Sequence, residues 1–234
     1  MSPLWWSIAL LVAFLFGSFP TGFLIARAKG IDIRKHGSGN IGATNVGRIL
    51  GPKAWLLCFA GDFLKGFAPV LAIGVFAGVA GRWDAPAAPT AWWLAAMAAA
   101  MAGHMFCPWL GFKGGKGVAT GLGAVLAIVP VLSTAGLVAL GVFLVAVTAW
   151  RYVSLAAMLA ACTLPLSVVL IALIRGQHTG LSWDASPWAS PAAIATALMA
   201  GVVVFKHRSN IQRLRAGTEP KVGAKKTSPA QVGI

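Results

Sequence analysis

Seven stretches of this chain are apolar over lengths that suit a bilayer: Leu4–Ala26, Ala54–Ala80, Ala91–Leu110, Val118–Leu132, Ser133–Trp150, Val153–Ile174 and Pro191–Phe205. A helix needs about 20 residues, with some latitude, to cross a hydrocarbon core about 30 Å thick. Pro130 and the pair Arg151-Tyr152 divide the long apolar region between Val118 and Ile174. The chain is 58% hydrophobic and 10% charged, with a mean hydropathy of +0.81, whereas soluble domains are roughly a quarter charged. The expected fold is therefore all-α and integral to the membrane, with seven transmembrane helices. Because no large hydrophilic block separates the apolar runs, residues 1–216 read as one membrane domain. Residues 217–234 have little to bury and read as a disordered basic tail lying against membrane lipids. The first run has no basic region before it and exceeds the apolar part of a signal peptide, so it is expected to remain as a span.

The basic residues set an orientation. With the N-terminus outside, 17 of the 19 Lys and Arg fall on one face, and only Arg82 and Arg175 fall on the other. Cytoplasmic loops carry the excess of Lys and Arg, so the C-terminus is expected to be cytoplasmic. Trp5, Trp6, Trp92, Trp93, Trp183 and Trp188 then form an expected belt at the outer interface.

Only five residues are acidic, Asp32, Asp62, Asp84, Asp184 and Glu219, and the net charge is +14. Topology explains part of that excess, and an anionic ligand would explain the rest. Nucleic acid is set aside, because the charges lie in short loops between spans with no reading module. Cys58, Cys107 and Cys162 are scattered and form neither a disulfide framework nor a metal pair. With no H-E-x-x-H, no G-x-S-x-G, no His followed four residues on by Asp, and so few acids, metal-dependent phosphoalcohol transfer is not expected. The site is expected to hold no metal and no cofactor.

Three polar segments exceed what anchoring requires, and the topology puts all three on the cytoplasmic side. The first runs from His36 to Arg48 and contains Ser38, Gly39, Asn40, Thr44 and Asn45. Small residues leave backbone N–H groups uncovered, hydroxyls and amides add directed donors, and Arg48 adds a forked cation, a set suited to phosphate or carbonyl oxygens. A flexible, turn-rich loop would use the same residues. The second holds Lys113, Gly114, Gly115, Lys116 and Gly117 and leads into the run that starts at Val118. Glycines at a helix start, with two lysines, make an anion site, whereas a plain basic turn would need fewer glycines. It is not a Walker A loop, because Gly117 stands where Ser or Thr should be. The third follows the last run. On a continuing helix His207, Asn210 and Leu214 share one face, with Arg213 facing water. A basic stop-transfer collar would explain the charges but not that pattern.

Inside the spans, Asp62 and Lys65 at i and i+3 read as a buried pair. His104 reads equally as a packing residue or a catalyst. Gly74 and Gly78 form a GxxxG expected to bring helices close.

Five strings together resemble the bacterial acyl-phosphate:glycerol-3-phosphate acyltransferase family, the PlsY type: GSFPTG at 17–22, SGNIGATN at 38–45, GDFLKG at 61–66, Gly103-His104 through FKGGKGVAT at 112–120, and HRSNIQRL at 207–214. They run in order along nearly the whole chain. One departure is Cys107-Pro108, where Pro is expected directly after the aromatic. The resemblance implies acyl transfer from a long-chain acyl phosphate to glycerol 3-phosphate, giving lysophosphatidic acid, in the inner membrane of a bacterium. It also implies a functional link to the enzyme that makes acyl phosphate. An acyl phosphate is already activated, so positioning and charge stabilisation suffice. On this reading Ser38, Arg48, His207 and Asn210 are catalytic. Lys113, Lys116 and the Gly114–Gly117 amides hold phosphate, Gly39, Asn40, Thr44, Asn45 and Arg213 bind substrate, and Asp62, Lys65 and His104 support them. The base is either His207 or the substrate's own phosphate. The alternative from another class is a transporter of a phosphorylated solute, which would spread polar residues through the bilayer midplane and show an internal repeat. Neither is seen.

Overall fold

The computed structural model describes residues 1–179 and 188–223. Its elements are α1 (Pro3–Ser18), α2 (Thr21–Arg27), α3 (Ala43–Leu50), α4 (Pro52–Phe76), α5 (Ala87–Met105), α6 (Val118–Ala127), α7 (Val131–Trp150), α8 (Val153–Thr179), α9 (Ala189–Lys206) and α10 (Arg208–Arg215). Taking α1 and α2 as one broken span, six of these are long and apolar enough to cross a membrane. The expected span Val118–Leu132 is the exception. Its helix, α6, has 10 residues, about 15 Å at the usual rise, half the hydrocarbon thickness. The segment behind it meets the loop after α4, where the Gly81 N–H donates to the Val129 carbonyl at 2.8 Å.

The closest neighbours are α4 with α6, α1 with α5, α7 with α8, and α8 with α9. Lipid tails are as apolar as side chains, so membrane helices gain by close approach of their backbones. The α4–α6 crossing shows the device: a Cβ at Gly66 would overlap the Thr120 carbonyl, and one at Gly123 would overlap the Phe63 carbonyl. The expected GxxxG works differently. Gly74 makes room for the Trp93 ring, but Gly78 is left-handed and follows the end of α4. Of the expected outer tryptophan belt, Trp6, Trp93 and Trp188 are buried in the core. The Trp93 indole donates to the Val70 carbonyl at 2.7 Å, which satisfies its N–H inside the bundle. Trp183 lies outside the described residues.

The first span breaks at Phe19-Pro20, because Pro20 has no N–H to continue the ladder. At the break the Phe19 carbonyl accepts from the Thr21 N–H at 3.0 Å and from Lys65 Nζ at 2.7 Å, and Asp62 pairs with the same ammonium at 2.7 Å. The expected buried pair is thus present, and it seals a helix break. The loop after α5 also docks here: the Cys107 thiol donates to the Ser18 carbonyl at 3.1 Å, and the Trp109 indole donates to the Ser18 hydroxyl at 2.9 Å.

Removing one partner of a buried pair typically costs about 3–5 kcal/mol, more than replacing both with apolar residues. Lys65→Met should therefore unfold in detergent well below the parent protein, and the double variant Asp62→Leu/Lys65→Met should regain part of that loss. Thermal unfolding followed by tryptophan fluorescence measures both.

Candidate active site

Residues 31–42 fold over the start of α3 around one buried side chain. Asn45 is 2% exposed. Its amide N–H group donates to the His36 carbonyl at 3.0 Å and the Asn40 carbonyl at 2.9 Å, and its oxygen accepts from the Ser38 N–H at 3.0 Å. Asn45 therefore shapes the loop that carries Ser38 and Asn40, and it also lines the cleft. The Asn40 side chain accepts from the Gly42 N–H at 2.8 Å. This wrapping turns Ser38, Asn40, Thr44 and Arg48 toward a shared cleft, while Gly39 faces an outer vestibule.

The glycine loop after α5 also differs in detail from the expectation. The Gly114 and Gly115 N–H groups donate to the Met105 and His104 carbonyls, at 3.2 and 3.1 Å. They cap the end of α5, so they are not free for an anion. Gly115 must lack a side chain because the His104 ring lies where its Cβ would be. The available donors lie one turn further on. Gly117, in a left-handed conformation, opens α6 without a capping side chain, and the Gly117, Val118 and Ala119 N–H groups have no acceptor among the described residues. All three residues line the cleft. Lys113 stands in the outer vestibule, and Lys116 lines both spaces.

At the third segment α9 stops at Lys206 and α10 begins at Arg208, with His207 at the joint. The expected continuous helix is bent here, but His207 and Asn210 do turn inward, at 3% and 5% exposure. His207 Nδ1 is 2.8 Å from the Val203 carbonyl, so it carries the hydrogen and Nε2 keeps the lone pair. Burial, with the Lys116 charge nearby, pushes this imidazole down to about 4, and it is neutral at pH 7. Burial likewise lowers the Lys116 ammonium to about 8 against the pull of Glu219. Burial lowers the Arg48 guanidinium too.

Asn210 lines the cleft and bridges two charged groups. Its oxygen accepts from Lys116 Nζ, and its N–H group donates to Glu219 Oε1 at 2.7 Å. Glu219 also accepts from the Ser154 hydroxyl at 2.6 Å and from Arg213 Nε at 2.7 Å. Burial alone would raise its carboxyl, but the bonds from Ser154, Asn210 and Arg213 outweigh it and hold the group below its usual range. Residues 218–222 fold back here, with Arg48 donating to the Pro220 carbonyl at 3.4 Å and Arg151 to the Val222 carbonyl at 2.7 Å. Residues 224–234 lie outside the described residues. Sequence reasoning missed Glu219 and Ser154. The signal for Glu219 was an isolated acid among the basic residues that close the chain.

Together these segments enclose a cleft of about 280 Å³, walled by Arg48, Lys116, Arg213, His207, Asp62 and His104 among others. Ser38, Asn40, Lys116 and Arg213 also face the vestibule, of about 450 Å³. That vestibule carries Arg34, Lys113, Lys206 and Arg208 and no carboxylate. On its other side the cleft opens into a groove among α6, α7, α8 and α9, and Phe59, Val118, Leu140, Phe143 and Ala157 line both. The groove is almost wholly apolar. Cations and free helix-terminal N–H groups thus meet a hydrocarbon slot at the start of α6.

This geometry defines a multi-pass membrane protein whose cationic cleft is continuous with an apolar groove. Residues 7–217 match the family described as Glycerol-3-phosphate acyltransferase. A protein of that name from Trichlorobacter lovleyi is 45% identical over 91% of this chain and 95% of its own length. One from Synechococcus elongatus is 43% identical over 93% and 94%. A crystal structure of PlsY, an integral membrane glycerol 3-phosphate acyltransferase in its glycerol 3-phosphate form, superposes with a TM-score of 0.75 at 36% identity, covering 93% of this chain and 96% of the other. The chain belongs to this family, and to its PlsY type.

Glu219→Ala would strand the Ser154 hydroxyl, the Asn210 amide and the Arg213 fork, and unmade buried hydrogen bonds typically cost about 1–3 kcal/mol. The expected outcome is a lower unfolding midpoint in detergent, with Ser154→Ala, which removes one donor only, losing clearly less.

Proposed function

We propose that this protein transfers a fatty acyl group from an acyl phosphate to the 1-hydroxyl of glycerol 3-phosphate, releasing lysophosphatidic acid and inorganic phosphate for phospholipid synthesis. The observation that carries the reading is the junction of cationic cleft and apolar groove at the start of α6. An acyl phosphate is one anionic head on one hydrocarbon tail, and the reacting carbonyl would lie where the two spaces meet. Family membership supports the acceptor. The basic-residue count supports a cytoplasmic site in a bacterial inner membrane with the N-terminus outside, and α6 with the segment reaching Gly81 serves as the seventh crossing.

In this reading Lys116 and the first N–H groups of α6 hold the leaving phosphate, Arg48 and Arg213 hold the phosphate of the acceptor, and the Ser38 hydroxyl donates to the carbonyl oxygen. Lys113 and the vestibule cations draw anions in. The acceptor hydroxyl attacks the carbonyl carbon, the new ester C–O bond forms, and the bond to the phosphate oxygen breaks. The proton must leave the hydroxyl. In this reading His207 Nε2, which keeps its lone pair in a buried imidazole, accepts the hydrogen bond that aligns the hydroxyl, and the departing phosphate takes the proton. The scheme routes no step through a metal, and Asp62 and Glu219, the carboxylates that line the cleft, pair with Lys65 and with Ser154, Asn210 and Arg213. Ser38 is not assigned a covalent role, since its hydroxyl has no base as partner among the described residues.

The test is to offer the purified protein palmitoyl phosphate, palmitoyl-CoA and palmitoyl carrier protein separately, with labelled glycerol 3-phosphate and a chelator. Lysophosphatidic acid from the phosphate donor alone is expected. No product in folded protein, with unmodified solute accumulating in vesicles, would overturn the reading in favour of transport.

Two further outcomes follow from the geometry. Because kcat/KM reports the free enzyme, it should fall as pH rises through about 8, where Lys116 loses its proton. Lys116→Arg should move that limb to higher pH. Filling the apolar groove with Ala157→Phe should lower kcat/KM for palmitoyl phosphate about tenfold or more while sparing a short-chain donor, since each buried CH₂ is worth about 0.8 kcal/mol.

A further inference from the structure

Two apolar grooves flank α9, and the scheme above uses one of them. The second lies between α5 and α9, has a volume of about 410 Å³ and is lined by Leu94, Ala98, Ile194 and Leu198 among others. Its wall toward the first groove is built of three methionines. Met199 lines both grooves. Met101 and Met105 line the second, and their methyl ends fill the space beside Gly117 and Gly121, which line the first. Where α6 crosses α4, backbone meets backbone at Gly66 and Gly123 and the contact is fixed. Here the partition is made of the ends of unbranched thioether side chains, which have three rotatable bonds and repack readily.

An anionic head has a parallel route. The cleft and the vestibule share Ser38, Asn40, Lys116 and Arg213, and the vestibule also carries Lys206 and Arg208. Lys206 Nζ donates to the Met105 carbonyl at 3.3 Å and stands 4.9 Å from the centre of the Phe106 ring. Met105 and Phe106 line the second groove, so that groove repeats the plan of the first: an apolar slot with a cation at its mouth. We propose that it is a second acyl-chain site, which receives the lysophosphatidic acid product through the methionine wall and passes it to the bilayer. The inference rests on the reaction proposed above. A chain leaving through the vestibule would expose its CH₂ groups to a polar, cationic space, which is unfavourable for each of them. Chain and head instead have adjoining paths between the same two places, and a product moved aside clears the first groove for the next donor.

The test uses three probes with a photoreactive diazirine at the same chain carbon: palmitoyl phosphonate, lysophosphatidic acid and lysophosphatidylcholine. Each is bound to the full-length protein in lipid nanodiscs, and the labelled residues are mapped by peptide mass spectrometry. The phosphonate should label α7 and α8. Lysophosphatidic acid should label α5 and α9 roughly tenfold more than lysophosphatidylcholine does, since each nearby cation favours an anionic lipid. Lysophosphatidic acid confined to α7 and α8 would overturn the proposal. Equal labelling by the zwitterionic probe would do the same and mark the groove as an ordinary lipid contact. Kinetics give a second arm. Ala98→Phe, which fills the groove from an exposed position, should leave the single-turnover rate unchanged and slow steady-state release, so that a burst of one product per protein appears. Met101→Ile, which stiffens the wall at nearly constant volume, should show the burst as well. Turnover without a burst in both variants would count against the route. If the unaltered protein forms no lysophosphatidic acid from palmitoyl phosphate, the functional reading itself fails, whatever the probes label.

Discussion

Hydrocarbon offers no hydrogen-bond partners, so wherever a helix of this chain stops within the membrane its freed polar groups must be satisfied by the protein itself. The break at Phe19-Pro20 shows how much follows. Its carbonyl takes a buried lysine, the lysine needs Asp62, and the neighbouring Ser18 carbonyl and hydroxyl fasten the loop after α5. That loop in turn uses two glycine N–H groups to finish α5, which leaves Lys116 and the start of α6 facing the cleft. The site is assembled from the devices that let the helices end.

The same constraint explains where the charges lie. Lys116, Arg48 and Arg213 converge with one carboxylate, Glu219, which is held by three hydrogen-bond donors. Without it, the cations would repel one another across a desolvated space. With it, Asn210 becomes a strut between Lys116 and Glu219. The tail segment is thereby part of the wall of the cleft.

The long spans were legible because hydropathy over about 20 residues reports the thickness of a bilayer directly. The length of α6 was not, since an apolar run ending near Pro130 does not reveal where helical rise stops, and the same measure passes over Phe19-Pro20. The three polar segments were legible as a set, because topology places them on one face and the fold joins them. Which atoms face a ligand was not. Asn45 has the chemistry of a ligand and also holds its own loop, and the Gly114 and Gly115 amides have the chemistry of an anion nest and cap α5. Composition marked the tail as polar and so hid Glu219, whose role depends on partners from α8 and α10 that only the fold brings near.

The central claim is that the anionic head and hydrocarbon tail of one amphiphile meet at the start of α6. A crystal structure of the protein with a non-hydrolysable palmitoyl phosphonate tests it most directly. The phosphonate should lie against Lys116 and the first N–H groups of α6, with the chain in the groove that Phe59, Leu140 and Phe143 open. A phosphonate bound elsewhere, or a chain lying in the separate apolar groove between α5 and α9, would contradict it.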